Sequence, residues 1–334
     1  MKDISLSDVF LYAPAWNRIG GQIRDMLSSG SPLLLETDGR LIRNGVPVAA
    51  RPGVGRVAWA SPDAYVDGAI NAFLDHCRAM QLDWVQAGSA GVDNPRFAAL
   101  NAAGIQLTTS DAMVPSIGEL VMAGVLDHFQ RGPERRAVQA SRQWTLLPFR
   151  EIAGSRWVVF GFGAIGREVG HRARAFGAHV TGIRRSGGED PAADCIVLPD
   201  GALPALAQAD VVVLCAPLSP ATRHMANAAF FAALKSGAVI VNGGRGDLLD
   251  EAALIAALDS GQMGHAILDV VSTEPLPPDS PIWAHPKIAL TCHVAGLGNG
   301  LIARSDALFL ENLGRYLSGA QLRLAVDQRL FGSG

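Results

Sequence analysis

The sequence is short of the features that announce a class at once. Among 334 residues there are four cysteines, Cys77, Cys195, Cys215 and Cys292, and no two have C-x-x-C spacing. So sparse a set gives no disulfide framework and no metal site, and it points to a reducing, cytoplasmic setting. Net charge is scarce too: 28 basic against 31 acidic residues leave a formal −3, no footing for nucleic acid or an anionic membrane. No apolar run approaches a membrane span, and Val211 to Leu218 has only the length of a buried strand. The start, Met1 to Ser5, lacks the apolar core of a signal peptide. Internal repeats and low-complexity tracts are missing as well.

With 49% hydrophobic and 18% charged residues, the composition is that of a folded globular protein with chain enough for two cores. The most informative stretch is Trp157-Val158-Val159-Phe160, an apolar run that suits a strand buried on both faces. Gly161, Gly163 and Gly166 follow in G-x-G-x-x-G spacing, and Arg167 to Phe176 has helical character ending at Gly177. In this context Gly161 takes a tight turn, Gly163 lets backbone approach a pyrophosphate, and Gly166 lets helix and strand pack closely. The helix N-terminus then faces the anion. Alone, the pattern is also that of a glycine-rich turn in any α/β protein.

Around it the chain alternates. Strands are expected at 157–160, 178–183, 211–216, 238–242, 266–270 and 288–291, which argues for a doubly wound parallel sheet. Earlier, Gly55 to Trp59, a helical stretch from Ala64 to Met80, Leu82 to Gln86 and Ile105 to Thr108 suggest a smaller α/β domain. Ser116 and Glu119 have capping-box spacing, so a connecting helix is expected to begin there. Gly132 to Arg142 reads as surface and Trp144 to Arg150 as a connector. A last helical stretch, Leu301 to Leu317, is placed to return to the first domain, giving domains of 1–110 with 297–334 and of 111–296.

In an open parallel sheet, ligands bind beyond the carboxyl ends of the strands, and the unusual polar residues cluster there. Arg184, Arg185 and Ser186 follow the second strand, 21 residues past Gly163 for the first of them. An acidic residue near that place would bind the ribose hydroxyl of NAD; Arg-Arg-Ser instead suits the 2′-phosphate of NADP, or else is a solvated basic turn. Arg245 stands among glycines in Asn242-Gly243-Gly244-Arg245-Gly246, a loop able to aim a guanidinium at a carboxylate and a neighbouring carbonyl. On spacing alone it is equally a surface arginine. His293, just past an apolar strand, is either a satisfied boundary residue or a proton donor, with Glu274 a suitable partner to raise its pKa and fix its tautomer.

These residues together resemble the D-isomer-specific 2-hydroxyacid dehydrogenases, over most of the chain and most strongly from Ser155 to Gly296. Gly161 to Gly166 is similar to that family's coenzyme loop. Val239 to Gly246 is similar to its arginine segment, Leu268 to Leu276 to its glutamate segment, and Thr291 to Gly296 to its histidine segment. The resemblance implies two Rossmann-like domains, doubly wound parallel sheets, with a cleft between them, and a homodimer. It implies that Arg245 binds the carboxylate and ketone oxygen of a 2-keto acid, that His293 protonates that oxygen, and that Glu274 supports His293. It also implies that Asp269 contacts the nicotinamide carboxamide and that backbone N–H groups of Ser89, Ala90 and Gly91 hold the substrate carboxylate. Phe162, Ala164 and Ile165 between the glycines, Ala216 and Pro217 after the 211–216 strand, and Asn242 complete the expected cofactor contacts. The arginine pair is similar to the NADPH-using glyoxylate and hydroxypyruvate reductases, so NADPH is expected, with NADH weaker. Cys292 stands where the family generally has proline. A dinucleotide-sensing, non-catalytic protein of the corepressor kind is the alternative on the same fold.

Overall fold

The computed structural model describes residues 4–327; the first three residues of the chain start and the last seven of the expected first domain lie outside them. The chain divides into two compact units, one holding Met1–Met113 with Gly298–Gly334 and the other Val114–Leu297.

Unit 1 is built on seven strands: β1 (Val9–Tyr12), β2 (Leu33–Leu35), β3 (Leu41–Arg43), β4 (Val46–Pro47), β5 (Val57–Ala60), β6 (Trp84–Ala87) and β7 (Gln106–Thr108). Their order is β4-β3-β2-β1-β5-β6-β7, parallel from β2 to β7 and antiparallel at the β2–β3–β4 edge. The parallel strands β1, β5 and β6 are buried along their whole length, as strands covered on both faces must be. Alternation therefore begins well before Gly55, and the antiparallel edge is an addition to the expected architecture. The stretch from Ala64 to Met80 is two helices, Pro62–Val66 and Ile70–Met80, parted at Gly68 with φ +71°.

The C-terminal helix Leu301–Ser318 belongs to unit 1. Phe309 stacks on Trp59 and Trp84 at 5.4 and 5.7 Å between ring centres, and Tyr316 on Trp84 at 5.6 Å. Stacked aromatic pairs of this kind add about 0.5–1.5 kcal/mol each beyond the area they bury. The indole N–H groups are satisfied in the same layer: Trp59 donates to Asp306 at 3.1 Å and Trp84 to Thr108 at 2.9 Å.

Unit 2 carries a second sheet of seven strands, all parallel: β8 (Arg156–Phe160), β9 (His179–Ile183), β10 (Cys195–Val197), β11 (Val211–Leu214), β12 (Ala238–Asn242), β13 (Met263–Leu268) and β14 (Ile288–Leu290). The order β10-β9-β8-β11-β12-β13-β14 reverses direction between β8 and β11. That reversal opens a crevice beyond the carboxyl ends of those two strands, where Phe160 pairs with Leu214. β10 went unforeseen because Cys195-Ile196-Val197 is a short, partly exposed edge strand. The helix expected to start at Ser116 starts at Val114, so Ser116 is not its cap; its hydroxyl donates to the Gly296 carbonyl at 3.3 Å. The basic stretch after it is the helix Gly132–Ala140. No helix among the described residues is long and apolar enough to cross a membrane.

Candidate active site

At the carboxyl end of β8 the three glycines do three different things. Gly161 has φ +85°, and a Cβ on it would lie 2.4 Å from Ala216, which follows the neighbouring strand. Gly166 is equally closed, its virtual Cβ 2.5 Å from the Gly161 carbonyl oxygen. Gly163 faces open space, with nothing within 4 Å of its virtual Cβ. Two glycines thus permit the turn and the packing, while the third leaves room for another molecule to come close.

The helix Ala164–Ala175 begins three residues earlier than expected, with Gly163 as its N-cap. The first bond to close onto the cap is Arg167 N–H to the Gly163 carbonyl at 2.9 Å, so the N–H groups of Ala164, Ile165 and Gly166 have no intrahelical acceptor. An anion such as a pyrophosphate fits this helix end, where free donors and the helix dipole act together. Phe162 turns its side chain inward. Its side chain is buried in the core against Gly170 and Gly182, and its N–H goes to the Ile183 carbonyl at 3.1 Å. It shapes the loop from beneath.

At the end of β9, Arg184 is committed within its own loop. It reaches Asp190 at 2.9 Å and the Ser186 and Gly187 carbonyls at 2.9 and 3.2 Å. Burial alone would raise the Asp190 carboxyl, but the Ala192 N–H and the guanidinium groups of Arg167 and Arg184 overcome that and hold it below its ordinary value. These bonds hold Arg184 against its own loop. Arg185 and Ser186 are exposed beyond it, and no partner to the Arg185 side chain occurs among the described residues.

The arginine turn follows β12. Asn242 is buried and spans the turn, donating to the Arg245 carbonyl at 3.0 Å and accepting from the Gly244 N–H at 3.2 Å. Arg245 is half-buried and gives one N–H to the Gly244 carbonyl at 2.8 Å. A Cβ on Gly246 would sit 2.0 Å from the Val271 carbonyl, so this glycine is what lets the arginine turn abut the segment leading to Glu274. Glu251 braces that segment from the next helix, accepting from the Ser272 N–H at 2.7 Å.

The centre of the site is the pair Glu274–His293, with Oε2 2.6 Å from Nδ1. The other Glu274 oxygen accepts from the Val271 N–H at 3.1 Å, which orients the carboxylate. His293 has φ +54°, a left-handed conformation that costs about 1–2 kcal/mol in a non-glycine residue. Asp269 holds it there. The Asp269 carbonyl accepts the His293 N–H at 2.7 Å, and its buried carboxylate accepts from Thr291 Oγ1 at 2.6 Å and from the Val294 and Ala295 N–H groups at 2.9 and 3.1 Å. Reading the sequence missed this role, and only the run of Asp269 and Thr291 at adjacent strand ends could have signalled it. Glu274, His293, Asp269 and the exposed Cys292 line a cavity of about 450 Å³, with Val271, Leu276, Trp283 and Leu290 as its apolar walls.

In unit 1 the loop after β6 carries Ser89, Ala90 and Gly91. Among the described residues the N–H groups of Ala90, Gly91 and Val92 have no acceptor.

A family model described as D-isomer specific 2-hydroxyacid dehydrogenase, NAD binding domain, matches residues 122–295. The chain is 32% identical over 262 residues to glyoxylate/hydroxypyruvate reductase B of Citrobacter koseri, covering 73% of this chain and 78% of that protein. A D-isomer specific 2-hydroxyacid dehydrogenase of Xanthobacter autotrophicus, solved with NADPH and MES, is similar with a TM-score of 0.77 at 27% identity, covering 98% of this chain and 100% of that one. A family protein of Aeromonas salmonicida has a TM-score of 0.78 at 27% identity, covering 96% and 99%. With its two parallel-sheet units, its dinucleotide loop and these relatives, the chain belongs to the D-isomer specific 2-hydroxyacid dehydrogenases, oxidoreductases that use a nicotinamide dinucleotide.

Proposed function

We propose that the protein reduces a small 2-keto acid, of the glyoxylate or hydroxypyruvate kind, to the D-2-hydroxy acid with NADPH. The observation that carries this is the Glu274–His293 pair at 2.6 Å, set beside the arginine turn by the close approach of Gly246 to Val271. A bound nicotinamide supplies the hydride. The chain's own part is to receive the charge that grows on the ketone oxygen. Arg245 grips the carboxylate and polarises the carbonyl, and a cation there is worth most where water is excluded. With Nδ1 engaged by Glu274, Nε2 is the His293 nitrogen left to pass a proton to the oxygen, a contribution of about 10²–10⁴ in rate. Ala164, Ile165 and Gly166 hold the pyrophosphate. Arg185 and Ser186 take the 2′-phosphate, since Arg184 is already used.

The same proposal includes a homodimer in a cytoplasmic setting. The segment after the helix Gly132–Ala140 exposes Trp144 fully, Leu146 at 86% and Phe149 at 55%, a concentration of apolar surface that suits an interface. Light scattering of the wild type and of Leu146→Asp checks this, a dimer and a monomer being the expected masses.

The activity test is absorbance at 340 nm with a panel of 2-keto acids of rising size and both cofactors. NADPH oxidation by the smaller acids is expected, faster than with NADH. Tight NADPH binding with no turnover of any acid would favour the dinucleotide-sensing alternative.

A further inference from the structure

We propose that Tyr65 is a positioning residue for the substrate carboxylate, acting through Ser89 on the loop that presents the Ala90, Gly91 and Val92 N–H groups. The inference rests on the function proposed above. Tyr65 lies in the short helix Pro62–Val66, directly after β5, and its hydroxyl is 3.0 Å from Ser89 Oγ. Ser89 Oγ has one proton, and it donates that proton to the Gly91 carbonyl at 2.7 Å. The Tyr65 hydroxyl is therefore the donor to Ser89, completing a relay from phenol to hydroxyl to carbonyl. Burial pushes the Tyr65 phenol up to about 12, so it keeps that proton at any working pH.

The relay has a consequence at the loop. It ties down the Gly91 carbonyl, and among the described residues the N–H groups of Ala90, Gly91 and Val92 have no acceptor. Such a run of backbone donors is an anion-binding concavity. The loop's entry is fixed as well. A Cβ on Gly88 would lie 2.7 Å from the Ala60 carbonyl, and the Ser89 carbonyl accepts from the Ser110 N–H at 2.9 Å. Beyond this entry, Tyr65 holds Ser89 Oγ and Ser89 holds the Gly91 carbonyl, in the same turn as the three donors.

Tyr65→Phe removes one hydroxyl and keeps the ring. The expected result is a KM for the 2-keto acid raised by about fivefold to tenfold, the size of one lost hydrogen bond. The inhibition constant of oxalate should rise with it, while kcat stays within about threefold and the NADPH Kd is unchanged. Ser89→Ala should reproduce this, Ser89→Thr should restore it, and Tyr65→Phe with Ser89→Ala should be no worse than Ser89→Ala alone. If the wild type turns over 2-keto acids and Tyr65→Phe leaves KM and oxalate inhibition unmoved, or lowers kcat and NADPH binding in step, the inference is overturned by itself. A wild type that reduces no 2-keto acid overturns the proposed function, and the inference with it.

Discussion

Each unit ends a buried parallel strand in a glycine-bearing loop, yet the two loops are fixed by different forces. The loop after β8 is closed by steric contact: a Cβ added to Gly161 or Gly166 would lie 2.4 or 2.5 Å from backbone atoms. The loop after β6 is closed at Gly88 in the same way, but beyond it depends on hydroxyl groups, Tyr65 to Ser89 to the Gly91 carbonyl. A loop closed by steric contact tolerates no added atom at Gly161 or Gly166. A loop fixed by side-chain hydrogen bonds can be retuned by one substitution.

The contrast also separates chemistry from binding, and the largest expected effect tests that separation. Arg245→Ala in unit 2 should lower kcat/KM by about 10³-fold, through kcat as well as KM, because charge on the ketone oxygen loses its cation. An effect confined to KM would make Arg245 a binding group like the loop of unit 1. Next in size is a pair of alanines within the cofactor loop. Gly161→Ala has no room and an unfavourable φ, and should destabilise unit 2 by about 2–4 kcal/mol. Gly163→Ala should fold with wild-type stability and lose NADPH affinity, since its Cβ points where nothing in the protein stands. Calorimetry and cofactor titration distinguish the two; equal loss of stability in both would break the steric account.

A smaller change is expected from Glu274→Gln. The carboxylate 2.6 Å from Nδ1 fixes the orientation of the His293 ring, so removing it should lower kcat by about 10-fold to 100-fold. An unchanged kcat would argue against the pairing. The smallest effect compares the units in acid. In unit 2, His265 stacks on His128 at 4.1 Å, and burial, with the His128 ring next, pushes it down to about 4 from 6.5. A depressed histidine is neutral in the fold, so its share of stability is fully present above pH 6.5 and is lost as pH falls toward 4. Hydrogen exchange should show the start of β13 opening earlier on acidification, and His265→Gln should flatten that slope; the same slope in both proteins would contradict it.

How much of this was legible in the sequence depended on distance along the chain. The coenzyme loop and the arginine, glutamate and histidine segments are contiguous runs whose chemistry is written locally, and the central strands of unit 2 are short apolar runs. What escaped was settled across the fold. The contacts of Arg184 with Asp190 and three carbonyls of its own loop are written in no motif. The bonds that the Asp269 carboxylate accepts come from Thr291, Val294 and Ala295, more than twenty residues onward and beyond any local motif. Ser116 has cap spacing, but the helix starts at Val114 before Pro115, which suits a first turn. Tyr65 carries no motif at all, and only its 3.0 Å approach to Ser89 brings it to notice.

The central claim is that a hydride reaches a ketone carbon while Arg245 and His293 receive the charge on its oxygen. It is tested most directly by supplying NADPH deuterated at the transferable position together with hydroxypyruvate, and examining the product. The account expects deuterium at C2 of a D-configured glycerate from the wild type and a yield reduced by orders of magnitude from Arg245→Ala. A wild-type product without deuterium at C2, or an Arg245→Ala enzyme that labels C2 as fast as the wild type, would contradict it.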